Sequence, residues 1–179
     1  HDQTRRQRQM CIRDSRGTDQ NRIGPRRLVG SGLINANQVK LAAGISFLLA
    51  AIAGLVLAIM TSLWLILIGC IAILAAWFYT GGSRPYGYSG YGEVSVFIFF
   101  GLVATVGSSY VQSQTIETIS MLCSVPVGLL ASALLVVNNF RDIETDSETG
   151  KQTFAVRLGK AKTKMFFALL LLASLGMYV

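Results

Sequence analysis

Long apolar runs alternate with short polar stretches along most of the chain. From Leu41 to Ser83 there is no Asp, Glu, Lys, Arg or His, and from Pro85 to Phe140 only Glu93 and Glu117. A bilayer core about 30 Å thick needs roughly 20 apolar residues wound as helix. Four stretches meet that need: Val39 to Met60, Leu63 to Thr80, Glu93 to Val111, and Ile116 to about Val137. Met165 to Val179 opens a fifth. Runs of this length are helices rather than buried strands. Thr61 and Ser62 supply a tight turn between the first two. Pro126, inside the fourth, predicts a kink whose freed carbonyl is satisfied by a neighbouring helix. The predicted fold class is all-α, a polytopic transmembrane helical bundle.

Composition supports this reading. Hydrophobic residues are 52% of the chain and charged residues 14%, against about 25% charged in a soluble domain. The net charge of +7 by itself would suit a nucleic-acid binder, but the placement of the charges excludes that class. Arg5, Arg6, Arg8, Arg13, Arg16, Arg22, Arg26, Arg27 and Lys40 precede the first span. Arg84 lies in the next loop of the same side, and Arg141, Lys151, Arg157, Lys160, Lys162 and Lys164 in the third. The opposite loops, Thr61-Ser62 and Gln112 to Thr115, carry no basic residue. The positive-inside rule makes the charged side cytoplasmic, so a multi-pass protein of the cell inner (plasma) membrane is expected.

The chain begins with His1 and stops at Val179 within an apolar run, which predicts a fragment of a longer protein. Residues 1–15 are polar, Arg-rich and aperiodic, and are expected to be disordered or a junction artefact; a basic tail drawn to anionic lipid is the functional alternative. Residues 16–179 form the expected domain. Cys11, Cys70 and Cys123 have neither disulfide nor zinc spacing.

Candidate chemistry lies in three polar segments of the cytoplasmic side. In the third, Asn138, Asp142 and Asp146 follow at i, i+4 and i+8, on one face of a helix. Two carboxylates a turn apart with an amide beside them suit Mg²⁺, which takes one or two carboxylates, substrate phosphates and water. Lys151 and Arg157 follow, and cations with a metal suit a polyphosphate; a solvated helix end is the bland alternative. The first segment, Arg16 to Arg27, has several guanidinium groups that match phosphate oxygens, or anchor to lipid headgroups. The second, Gly81 to Glu93, is Gly-rich, and Tyr86, Tyr88 and Tyr91 could stack on an aromatic ligand, face a cation or sit in an interfacial belt. No GxSxG, no Walker loop and only His1 among histidines are present, so serine-hydrolase, P-loop and histidine acid–base chemistry lack support.

The strings GTDQNRIGPRRLVGSGLI, RPYGYSGYGEVSVFIFFG and GLLASALLVVNNFRDIETDSETGKQTFAVRLGK resemble the UbiA superfamily of membrane prenyltransferases, in its menaquinone-synthesis branch, over about residues 16–179. The resemblance implies nine transmembrane helices, of which this chain would span the third through part of the seventh. It also implies two facing Asp-rich motifs that hold Mg²⁺ on the diphosphate of a polyprenyl donor. The second motif maps onto Asn138, Asp142 and Asp146. Of the first only Asp19 is matched, and its upstream Asn-Asp pair is missing, so the fragment is expected to be inactive alone.

The implied reaction transfers a polyprenyl group from polyprenyl diphosphate to 1,4-dihydroxy-2-naphthoate with decarboxylation, giving demethylmenaquinone. In that reading Arg22, Lys151 and Arg157 stabilise the diphosphate, Tyr86 and Tyr88 shield the allylic cation, and Arg26, Arg84 and Asn139 bind substrate. Another aromatic acceptor, such as 4-hydroxybenzoate or homogentisate, is the alternative within this class. A membrane transporter or lipid-binding scaffold is the alternative outside it.

Overall fold

A computed structural model describes residues 33–81 and 85–177. Among the described residues every regular element is helical, as the apolar pattern requires. Two units divide the chain, at Gly69–Cys70.

The first unit holds α1 (Ala36–Met60) and the opening turns of α2 (Trp64–Thr80). Asn35 caps α1 reciprocally: its side chain accepts from the Asn37 amide at 3.2 Å, and Gln38 Oε1 accepts from the Asn35 amide at 3.2 Å. That cap places the helix start three residues ahead of the apolar run. α1 is long and apolar enough to cross a membrane, and the lipid-type residues along it are exposed. α2 is shorter, at 17 residues.

The second unit carries the end of α2, a 3₁₀ turn at Tyr86–Ser89, and four further helices. α3 runs over Gly92–Ser113, α4 over Thr118–Arg141, α5 over Ile143–Glu148 and α6 over Phe154–Gly176. α3 and α4 also have the length and apolarity of membrane spans. The buried face of α4 is made of small residues, Ser120, Ser124, Gly128, Ser132 and Ala133 with Pro126, as membrane helices need for close approach where lipid supplies no hydrophobic drive. α3 meets it at a π-helical segment, Phe97–Val103. On the other side Ala133 and Val136 pack with Leu170 of α6, flanked by Phe166 and Phe167. The Ser174 hydroxyl of α6 donates to the Pro126 carbonyl at 3.3 Å.

The polar segment expected between Asn138 and Lys164 is mostly helical. α4 ends at Arg141, α5 follows after Asp142, and α6 starts at Phe154, eleven residues before the apolar run at Met165. Thr153 caps α6 through the Val156 amide at 3.4 Å. The charged residues of its first turns hide this start from a hydropathy reading. Gly159 interrupts α6 with φ 72° and ψ 169°, a conformation open essentially to glycine alone. The hydroxyl of buried Thr163 donates to the Gly159 carbonyl at 2.8 Å and lies 3.4 Å from that of Ala155, covering acceptors left by the break. Cys70 and Cys123 are free thiols.

Candidate active site

At the end of α4 the ladder of backbone bonds continues through a bend. The Asp142 amide donates to the Asn138 carbonyl at 3.2 Å, and the Asp146 amide to the Asp142 carbonyl at 2.8 Å. Asp142 itself has φ −95° and ψ 9°, outside helical values, so it is the joint between α4 and α5. The i, i+4, i+8 row is thus kept in hydrogen bonding while its axis turns at the central carboxylate.

The three members of the row sit in different surroundings. Asn138 is exposed. Asp142 is partly exposed and takes two bonds from its neighbour Arg141, Nε to Oδ1 at 2.9 Å and Nη2 to Oδ2 at 3.2 Å. Asp146 is buried, and Lys151 Nζ donates to its Oδ1 at 3.1 Å. A buried carboxylate is stable only with such compensation.

Lys151 ties the third polar segment to the second. Its ammonium lies 4.9 Å from the centre of the Tyr88 ring, a cation–π contact of ordinary length. The adjoining Gln152 amide donates to the Tyr88 carbonyl at 2.8 Å. Arg157 approaches the same turn: a Cβ on Gly90, whose φ is +82°, would lie 3.3 Å from the Arg157 Nε. Gly90 therefore serves both the left-handed turn and the close passage of a guanidinium. Tyr86 faces elsewhere. Its hydroxyl donates to the Ala75 carbonyl at 2.8 Å and lies 3.0 Å from Ser95 Oγ, while its ring meets Tyr79 edge-on at 5.4 Å.

Asn139 points at a residue that the sequence reading passed over. Its Nδ2 donates to Glu93 Oε1 at 2.9 Å, and the Glu93 carbonyl accepts from Ser132 Oγ at 3.0 Å. Glu93 is 6% exposed. The available signal was its isolation, because a lone acid at the mouth of an apolar span is costly and tends to be functional. Outside this cluster, exposed Glu144 pairs with Lys160 at 2.6 Å. That bond and the nearby positive charge hold the Glu144 carboxyl below its ordinary value.

Of the residues predicted for the site, Tyr88, Asp146 and Lys151 are brought together, with Arg157 beside the same turn. Asn139 joins Glu93, and Asp142 joins Arg141. Asp19, Arg22, Arg26 and Arg84 lie outside the described residues, as does the expected tail at 1–15. Among the described residues no three His, Cys, Asp or Glu side chains converge to hold a metal. The donors here, two carboxylates and an amide, fit a hard cation that completes its shell with phosphate and water rather than a closed protein cage.

The helices and the small-residue packing define a polytopic helical membrane protein, with an acid–cation cluster just past the end of α4. The model of the UbiA prenyltransferase family matches residues 15–179, and the chain belongs to that family. It is 51% identical over 152 residues, 85% of this chain and 52% of the relative, to a 1,4-dihydroxy-2-naphthoate octaprenyltransferase of Mycobacterium tuberculosis. Proteins of the same name from Mycobacterium leprae and Escherichia coli are 48% and 40% identical, each over 89% of this chain and 54% of the relative. The chain thus spans about half the length of the curated relatives it matches. No solved structure matches it.

Proposed function

We propose that the parent protein transfers a polyprenyl group from polyprenyl diphosphate to 1,4-dihydroxy-2-naphthoate, with release of diphosphate and loss of the ring carboxylate as CO₂. The product is the hydroquinone demethylmenaquinol, which a separate two-electron oxidation converts to demethylmenaquinone. Family membership and the names of the similar proteins support the reaction class and the acceptor. The observation that carries the reading is the largely buried Asp146–Lys151 pair with Tyr88 against it, just past the Asp142 joint between α4 and α5.

The difficult step is breaking an allylic C–O bond to a diphosphate leaving group. Asp142, Asp146 and Asn138, with Asp19 from the first segment, are the residues that would hold Mg²⁺, whose chemistry when bound is Lewis-acid neutralisation of diphosphate charge. Lys151, already held in place by Asp146 and Tyr88, is a preorganised donor for diphosphate oxygens, and Arg157 and Arg22 add charge of the same sign. Preorganisation matters because no side chain then has to be ordered as the bond breaks. Arg26 and Arg84 bind substrate, Asn139 acts through Glu93, which it holds at 2.9 Å, and the Tyr88 ring of the second segment shields the allylic cation. The apolar helix faces accommodate the isoprenoid tail and exclude water from the cation. The motif segments face the cytoplasm, and the membrane is the inner (plasma) membrane, from the one-sided placement of the basic residues.

The test is turnover by the full-length parent in membranes, with a polyprenyl diphosphate and Mg²⁺, offering dihydroxynaphthoate, 4-hydroxybenzoate and homogentisate in separate arms. Product from dihydroxynaphthoate alone, abolished by chelation and by Asp142→Ala with expression intact, is the expected result. Near-normal activity of Asp142→Ala would refute the metal role, and product from another acceptor would refute the assignment of substrate.

A further inference from the structure

Glu93 carries one feature that the reaction as derived above does not use. Its Oε1 is fixed by Asn139 and its main-chain carbonyl by Ser132, yet its Oε2 is buried and has no hydrogen-bond partner. A buried acceptor without a donor is expensive to keep, and native structures rarely do so without a use. The carboxyl cannot simply rotate to find one, because the Asn139 bond, spanning 46 residues of sequence, pins it from the end of α4. Glu93 also lies in the first turn of α3, where the helix dipole favours negative charge. The site is an oriented acceptor aimed away from its own anchor.

The chemistry of the spot selects among ligands. A diphosphate is repelled by a carboxylate. A metal ion is poorly served, since the neighbouring amide presents its N–H₂ rather than its oxygen. A neutral O–H donor on an apolar body is what remains, and the surroundings are mixed: a Cβ on adjacent Gly92 would lie 3.1 Å from the Tyr79 hydroxyl and 3.2 Å from the Leu135 Cδ2. We propose that Glu93, held by Asn139, is the binding residue for a ring hydroxyl of the aromatic acceptor, the one remote from the ring carboxylate. This inference rests on the acceptor reading given above. It assigns the two substrates to opposite charges: the diphosphate to Lys151 and Arg157, and the phenol to Glu93.

The experiment is equilibrium dialysis of the purified full-length parent in detergent under reducing conditions against two probes. They are 1,4-dihydroxy-2-naphthoate and 1-hydroxy-2-naphthoate, which lacks only the remote hydroxyl. The unsubstituted parent should hold the dihydroxy compound about tenfold more tightly, the worth of one hydrogen bond to a charged group. Glu93→Gln should bind both probes equally. With the Asn139 N–H still claiming the Gln oxygen, the free position becomes an amide donor that cannot accept a hydroxyl. Equal binding of the two probes by the unsubstituted parent overturns the proposal whether or not the variant folds. A tenfold preference that survives in Glu93→Gln overturns it while leaving the acceptor reading intact. If the unsubstituted parent binds neither naphthoate, the acceptor reading fails and this inference with it.

Discussion

Lys151 and Asp146 are joined by a 3.1 Å bond almost shut off from water, their side chains 11% and 12% exposed. Removing one partner of such a pair leaves a charge in a medium that solvates it poorly, which typically costs about 3–5 kcal/mol. Lys151→Met and Asp146→Leu should each destabilise the chain on that scale, and the double variant by clearly less than the sum. Unfolding by dodecyl sulfate titration in mixed micelles measures all three. Additive losses would mean that the two groups act independently.

The Glu144–Lys160 pair should behave in the opposite way, because both side chains are exposed, at 75% and 61%. The Lys160 bond lowers the carboxyl below its ordinary value. For a depressed acid, the stability it contributes is present above the unfolded value and is lost as pH falls through the lower, folded value. Carboxyl NMR of the folded chain should therefore show Glu144 titrating below the usual glutamate midpoint of about 4.3. Lys160→Ala should return it to that midpoint, and high salt should do so in part. An unmoved midpoint in Lys160→Ala would deny the pair.

Most of the architecture could be read from the apolar runs because membrane spans demand length and uniformity, and both are visible without partners. α1, α3 and α4 begin and end within a few residues of the runs that predict them. α6 starts earlier than expected for a local reason: Thr153 and the charged turn after it obey capping and propensity, not hydropathy. A candidate site could be proposed from the residues that repeat, Asn138, Asp142 and Asp146, and from the cations that follow, and of these Asp146 and Lys151 meet. Glu93 was not legible, because what distinguishes it is a contact with Asn139 made across 46 residues, and no local spacing encodes such a contact. The bend at Asp142 was hidden for a related reason: the hydrogen-bond spacing passes through it unchanged.

Gly159 and Thr163 make a local test of the break in α6. With φ 72° and ψ 169°, Gly159→Ala should cost about 1–3 kcal/mol in strain. Thr163→Val keeps the shape but removes the donor to the partly buried Gly159 carbonyl at 2.8 Å, a loss of about 1 kcal/mol. Thermal unfolding followed by circular dichroism reads both. A neutral Gly159→Ala would show that α6 runs unbroken through this position.

Gly101 and Gly128 set how closely α3 approaches α4, and their geometry predicts an asymmetry. A Cβ on Gly101 would lie 2.5 Å from the Gly128 Cα and 3.0 Å from the Ser124 carbonyl oxygen, both main-chain atoms. A Cβ on Gly128 would instead meet the Phe97 ring at 2.7 Å and the Phe97 carbonyl at 3.1 Å. The ring can turn aside, whereas backbone yields only if a whole helix moves. Overpacking of this kind typically costs about 1–3 kcal/mol. Gly101→Ala should fall at the upper end of that range and Gly128→Ala below it. Since Ser132 and Asn139 of α4 reach Glu93 at the start of α3, parting the helices at Gly101 should also weaken the naphthoate preference that depends on Glu93. Dialysis of Gly101→Ala beside its unfolding curve checks the two consequences together. Equal losses from the two alanines would show that Phe97 is as fixed as the backbone.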